Sequence, residues 1–256
     1  MNNILEYQCK SAFEKIQHKE NIKVLILYNE IDLYRDVLID LDVEAKNISS
    51  ISVSNFDFFI DESLLDNSFD LIIGNPPNTR QEKIKDLKPI VSEYQSFYNT
   101  ADLNVYYFER AFYLLKKYAI VSFLTPSKYT KAKYAKRCRE FLLGNMNIVE
   151  YIDFVETSII LLQKSKELNS SFDYCRVEKQ DIALKEYISK HQYNYLQNDL
   201  DRDMFVFLSS KVLDIKIKIE KNPLEYINEN SSKYITALKN SKVLTFYKES
   251  IKYKNN

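Results

Sequence analysis

The residues that most narrow the possible folds are Phe69-Asp70-Leu71-Ile72-Ile73-Gly74-Asn75-Pro76-Pro77-Asn78, an apolar run that stops at a glycine and a double proline. Such an uninterrupted run suits a strand covered on both faces, as in a parallel sheet. Neither proline has an N–H to give a ladder, so the strand ends there and its loop is stiff. In open α/β sheets, ligands bind at the carboxyl ends of the strands. Asn75 precedes a proline, which favours an extended backbone, and its side chain offers an acceptor oxygen. A bare Pro-Pro also punctuates ordinary loops; the Asp-Leu-Ile-Ile-Gly run before it makes this pattern much narrower.

The flanking sequence supports an α/β alternation. Leu5, Cys9, Ala12, Phe13 and Ile16 recur at helical spacing, which predicts a helix over residues 4–18. Residues 23–28 and 48–53 read as strands around a short helix carrying Leu33, Val37, Leu38 and Leu41. After the proline loop, a polar helix is expected over 81–88, a loop over 94–100 and a long aromatic-faced helix over 103–117. A strand over 119–124 and a helix over 131–143 follow. Residues 148–154 and 157–163 then form a tight hairpin. A further strand is expected over 172–177, and helices over 182–189 and 211–220. The alternation argues for a parallel sheet with crossover helices.

Composition removes several function classes. Lys+Arg and Asp+Glu both total 36 in 256 residues, so no global field marks the chain as a nucleic-acid binder, and any such contact needs a local patch. Cys9, Cys138 and Cys175 lack metal-ligand spacing, and their odd number suits a reducing compartment. No metal site is expected. The start lacks the layout of a signal peptide, and no apolar run approaches the ~20 residues that span a bilayer, so a cytoplasmic protein is expected. The two glycines, Gly74 and Gly144, leave no glycine-rich turn of the kind that nucleotide-binding α/β folds use.

Several segments around the proline loop occur together: 80–89 (RQEKIKDLKP), 100–109 (TADLNVYYFE), Lys133-Tyr134, 139–143 (REFLL) and Ile152-Asp153-Phe154. With Asn75-Pro76-Pro77, the chain from 23 to 220 resembles gamma-class N6-adenine DNA methyltransferases. Within these it resembles the large proteins of combined type II restriction-modification and phage-exclusion systems. The family's motif has an aromatic after the prolines; this chain has Asn78.

The resemblance implies a Rossmann-like class I S-adenosylmethionine-dependent fold, an α/β sheet, mostly parallel with a terminal antiparallel hairpin. It implies that the family's first strand and glycine-rich loop precede residue 1. That strand would lie between residues 23–28 and 69–74, so its loss is expected to expose two internal edges. Residues 1–165 would be a partial catalytic domain, 166–222 an extension toward a target-recognition domain, and 223–256 a loosely attached polar tail.

By the same resemblance, Glu30 would grip the cofactor ribose, Asp57 would accept from the adenine amino group of S-adenosylmethionine, and Phe58 would be its apolar neighbour. The plain alternative for both acids is a solvated loop. Asn75, Pro76, Pro77 and Asn78 would form the catalytic loop, with Asn75 also at the cofactor. The Asn75 oxygen and Pro76 carbonyl would accept from the target amine. Asn78 lacks a ring to stack on a flipped base, and Phe154 is the nearest aromatic in the loop between the last two strands.

Lys128, Lys131, Lys133, Lys136 and Arg137, with Arg139, form the one dense basic segment, either a DNA contact or a solvated helix face. Double-stranded DNA is the expected partner, with another polypeptide supplying the missing strand or target-recognition domain, and no membrane. Three other readings stand beside this one: an inactive truncated remnant, an amino-methyltransferase acting on protein or RNA, and a non-enzymatic DNA-binding module.

Overall fold

The computed structural model describes residues 2–28, 32–53, 56–178 and 183–207. Glu30 and the regions expected as a helix over 211–220 and a tail over 223–256 lie outside these residues. The order is α1 (Asn2–Glu14), β1 (Val24–Tyr28), α2 (Asp32–Asp40), β2 (Ile48–Ser52), α3 (Asp57–Ile60), β3 (Phe69–Gly74), α4 (Lys88–Val91), α5 (Asn104–Leu114) and β4 (Leu115–Pro126). Then come α6 (Lys136–Asn145), β5 (Asn147–Asp153), β6 (Thr157–Gln163), β7 (Ser171–Arg176), α7 (Leu184–His191) and β8 (Tyr193–Leu196).

Among the described residues, eight strands join one sheet in the order β2-β1-β3-β4-β6-β5-β7-β8. Strands β2, β1, β3 and β4 run parallel; β6 is antiparallel to both β4 and β5; β7 is parallel to β5, and β8 closes the edge antiparallel. The carboxyl ends of β1 to β5 therefore share one edge, where the proline loop emerges. Strands β7 and β8 extend the sheet beyond the expected terminal hairpin. The final strand, four residues long, has too short a pattern to stand out in the sequence.

The expected exposed edges do not form. Strand β1 pairs directly with β3, with Val24 opposite Leu71 and Leu27 opposite Gly74. Strands shielded on both faces leave no water for unpaired N–H and C=O groups, so the two edges satisfy each other. The close fit depends on Gly74: a Cβ there would lie 2.4 Å from the Leu27 carbonyl oxygen and 2.5 Å from Leu27 Cβ.

Alternate residues serve the two faces. Val24, Ile26, Leu71, Ile73 and Ile120 pack with Cys9 and Ala12 of α1, Leu38 of α2 and Ile188 of α7. On the other face, Tyr107 and Phe108 of α5 pack on Phe123 of β4. Buried polar groups fasten α1 as well: Glu150 on β5 accepts from Tyr7 OH and Ser11 Oγ, both at 2.8 Å.

Several helix boundaries differ from the periodicity, each for a local reason. Helix α1 stops at Glu14, and Lys15 and Ile16 tighten into i→i−3 bonds. In place of the helix expected over 81–88, Gln81–Lys83 and Lys85–Leu87 form two 3₁₀ turns, and α4 then opens at Lys88 with a proline in its first turn. Helix α5 ends at Leu114 because Leu115 is already paired with Phe69 of β3. Helix α6 begins only at Lys136, since the Arg139 guanidinium takes the Tyr129 and Ala132 carbonyls at 2.7 and 2.9 Å.

Candidate active site

Strand β3 delivers Asn75, Pro76, Pro77 and Asn78 to the carboxyl edge in order of increasing exposure from the buried Pro76 to the exposed Asn78. A cleft of about 380 Å³ opens against this loop. Its other walls are Ile4 of α1, the Leu124-Thr125-Pro126 end of β4, and Thr157 of β6. Gln8 of α1 bridges the last residues of β3 to β4. Its Nε2 donates to the Gly74 carbonyl at 3.2 Å and the Ser122 carbonyl at 2.9 Å, and its Oε1 accepts from Tyr34 OH at 2.8 Å.

Among the described residues, no hydrogen bond engages the Asn75 side chain, and the Pro76 carbonyl accepts none. Two acceptors thus stand free on a stiff, half-buried loop facing a cleft. Behind them Asn104, buried at the start of α5, places Nδ2 at 3.5 Å from Thr125 Oγ1, while its Oδ1 is buried without a partner. Neither Asn104 nor Thr125 stood out in the sequence; an Asn followed by a run of aromatic residues, as at 104–108, is the signal that was available.

Asp57 is the first residue of α3, beyond the end of β2, and half-buried at the same edge. Phe58 next to it is fully buried and stacked on Tyr107, with ring centroids 5.1 Å apart, so its surface is taken up by the core. The Tyr107 hydroxyl is buried without a partner; burial pushes its pKa well up, and the Asp57 carboxylate adds to the rise.

The turn joining β5 to β6 carries Phe154 into the core packing and presents Val155 to solvent. Val155 has φ +76°, and the Glu156 N–H reaches the Phe154 carbonyl at 3.0 Å, a strained γ-turn for a β-branched residue.

The basic segment follows β4. Lys128, Lys131 and Lys133 are exposed, with no ion pair among the described residues. Lys136 pairs with Asp203, and Arg137 donates to the Phe97 carbonyl at 2.8 Å. Arg139 is buried and structural, bonded also to the Arg202 and Asp203 carbonyls at 3.0 and 2.5 Å.

A model of the Eco57I restriction-modification methylase family matches residues 5–160, which include the proline loop and the β4 and β6 walls of the cleft. This chain belongs to that family. The type II restriction enzyme and methyltransferase RM.Eco57I of Escherichia coli is 27% identical over 201 residues, 72% of this chain and 19% of that protein. The type II methyltransferase M.BstVI of Geobacillus stearothermophilus is 33% identical over 92 residues, 35% of this chain and 16% of that protein. The chain therefore spans less than a fifth of the length of these relatives. A solved structure from a type I restriction-modification system has the same fold, with TM-score 0.59 at 11% identity, covering 93% of this chain and 66% of that one.

Membership of a methylase family implies S-adenosylmethionine as the methyl donor. Of the described residues, Asp57 stands half-buried at the carboxyl edge of the sheet, the side on which such a molecule would bind. No glycine turn is among them, and the seat between β1 and β3 is closed by direct pairing. Among the described residues no helix is long and apolar enough to cross a membrane, and no three side chains are grouped to hold a metal ion.

Proposed function

We propose that this chain is the acceptor portion of a gamma-class DNA adenine-N6 methyltransferase of a restriction-modification system, acting on an adenine turned out of double-stranded DNA. The observation that carries this reading is the pair of unengaged acceptors, Asn75 Oδ1 and the Pro76 carbonyl, on a rigid loop lining the cleft.

An exocyclic amine is a poor nucleophile because its lone pair is delocalised into the ring. Two acceptors at fixed positions engage its two N–H groups and favour the pyramidal nitrogen over the planar one, an interaction stronger in the transition state than in the ground state. S-adenosylmethionine, when bound, supplies a methyl group on a positively charged sulfur. The stiff Pro76-Pro77 backbone holds the amine's lone pair in line for attack. The nitrogen then carries one surplus proton, already directed at an acceptor of the loop, and releases it to solvent. No separate general base is needed.

Direct pairing of β1 with β3 favours a second reading, binding of an extruded base without transfer. A strand donated by another polypeptide would have to part this pair. The two readings separate in one experiment: the 256-residue chain is incubated with methyl-labelled S-adenosylmethionine and duplex DNA, and the nucleosides are analysed. The transferase reading expects label in N6-methyladenine, falling by about 10²-fold or more in Asn75→Ala, in line with the loss of one preorganised hydrogen-bonding group. No label at saturating cofactor sinks the transferase reading and leaves binding alone.

A further inference from the structure

A second cleft, also of about 380 Å³, adjoins the first and is lined by Asn78, Thr79, Arg80 and Lys83. Asn78 belongs to the walls of both. Its other charged lining residues are cations. Arg80 and Lys83 are exposed, and neither has a hydrogen bond or ion pair from its side chain among the described residues. Glu82, which lies between them in the sequence, does not line the cleft. The Gln81 amide donates to it at 2.9 Å, and Lys88 donates to Gln81 in turn at 3.1 Å. The backbone here is held in place: the Thr79 carbonyl accepts from Leu103 N–H at 2.9 Å, and the Arg80 carbonyl from Lys83 N–H at 3.0 Å.

A guanidinium fork and an ammonium with no opposing acid on their own wall make a site for a tetrahedral oxyanion. Such a site one residue away from a cleft for a planar amine-bearing ring matches the layout of a nucleotide, whose phosphate is one sugar away from its base. We propose that this second cleft binds a backbone phosphate of the nucleic-acid strand whose base enters the Asn75 cleft. Asn78 lies over the sugar between them and donates its amide to the phosphate. The side chain at the fourth position of the loop thus serves the backbone instead of stacking on the base. This assignment rests on the nucleic-acid reading above but not on methyl transfer.

The test is equilibrium binding of a fluorescein-labelled duplex of mixed sequence to the full chain, followed by anisotropy over a potassium chloride series. Combining Arg80→Ala with Lys83→Ala should weaken binding at least tenfold at low salt. It should also reduce the slope of log K against log salt by roughly one to two, since each lost phosphate contact removes about one counterion from the exchange. Both side chains are exposed and unpartnered, so the variant should keep the thermal melt of the parent chain. The paired control, Lys19→Ala with Lys23→Ala, removes the same charge near the opposite edge of the sheet and should leave the slope alone. An unchanged slope in the Arg80/Lys83 variant, equal losses in both variants, or no binding by the unsubstituted chain at low salt would each overturn the proposal. A reduced slope in a chain that transfers no methyl keeps the phosphate site and rejects the transferase. Methylation of DNA with an unchanged slope does the reverse.

Discussion

Strand β3 has two neighbours, and its last residues meet them in opposite ways. On one side β1 comes so close at Leu27 that position 74 has no room for a Cβ. On the other, β4 stays paired through Phe123 opposite Gly74 and then runs on as a wall of the cleft, and a side chain, Gln8, bridges the Gly74 and Ser122 carbonyls. The same few residues thus seal one side and open the other. A site needs unengaged polar groups on a rigid frame, and rigidity here comes from the sealed side. The acceptor loop is held by a strand that cannot shift toward β1, while on the other side it lines a cleft walled by the Leu124-Thr125-Pro126 end of β4.

The open side should be the more costly to disturb. Gln8→Met keeps the volume but leaves two carbonyls and the buried Tyr34 hydroxyl short of their partner. Orphaned buried polar groups cost ~1–3 kcal/mol each, and partial relaxation brings the expected loss to about 3 kcal/mol. At 2–4 °C per kcal/mol for a chain of this size, the melt should fall by roughly 6–12 °C. Binding of adenine-containing DNA should fall with it, because the Gly74 carbonyl adjoins Asn75. A Gln8→Met chain that melts like the parent would show that the end of β3 is held beside β4 without this bridge.

The sealed side is tested by the two glycines. Gly74→Ala drives a methyl group into the Leu27 backbone, and overpacking of this kind costs ~1–3 kcal/mol, so a loss of about 2 kcal/mol is expected. In the same set of melts Gly144→Ala serves as the reference, since a Cβ there meets nothing within 4 Å. Equal melts for the two variants would mean that β1 and β3 are not in direct register at Leu27 and Gly74.

How far the sequence reveals this arrangement follows from the range of the interactions. The proline loop was legible because its signals are adjacent: an apolar run, a glycine and two prolines. The aromatic face of α5 was legible from helical spacing, and Tyr106, Tyr107 and Phe108 are indeed buried. The polar fastenings were not. Gln8 meets Ser122 across 114 positions, and Ser11 meets Glu150 across 139. Before folding, such residues look like any solvated Gln or Glu. Arg139 was grouped with a basic surface for the same reason, although it is buried among four carbonyls. The pairing of β1 with β3 was misread as an open gap because topology from the family left a vacancy that the unpaired backbone groups themselves remove.

The smallest expected effect concerns the tie that holds α1, and with it Gln8 and Ile4, over the cleft. Burial raises the Glu150 carboxyl above its ordinary 4.5, against the lowering effect of the Ser11 and Tyr7 hydrogen bonds and of Lys15, with Asp173 adding to the rise. A folded-state pKa above the unfolded one means that the folded chain keeps this proton to higher pH. Its contribution to stability is therefore complete below the ordinary carboxylate range and is lost as pH rises through the folded value. Glu150→Gln removes the titration while keeping an oxygen for Tyr7. The variant should match the parent in acid and gain on it as pH rises toward neutral. Paired thermal melts across that range measure the gain directly. A constant difference at every pH would show that Glu150 titrates alike in the folded and unfolded chain, and that its hold on α1 through Tyr7 and Ser11 does not vary with its charge.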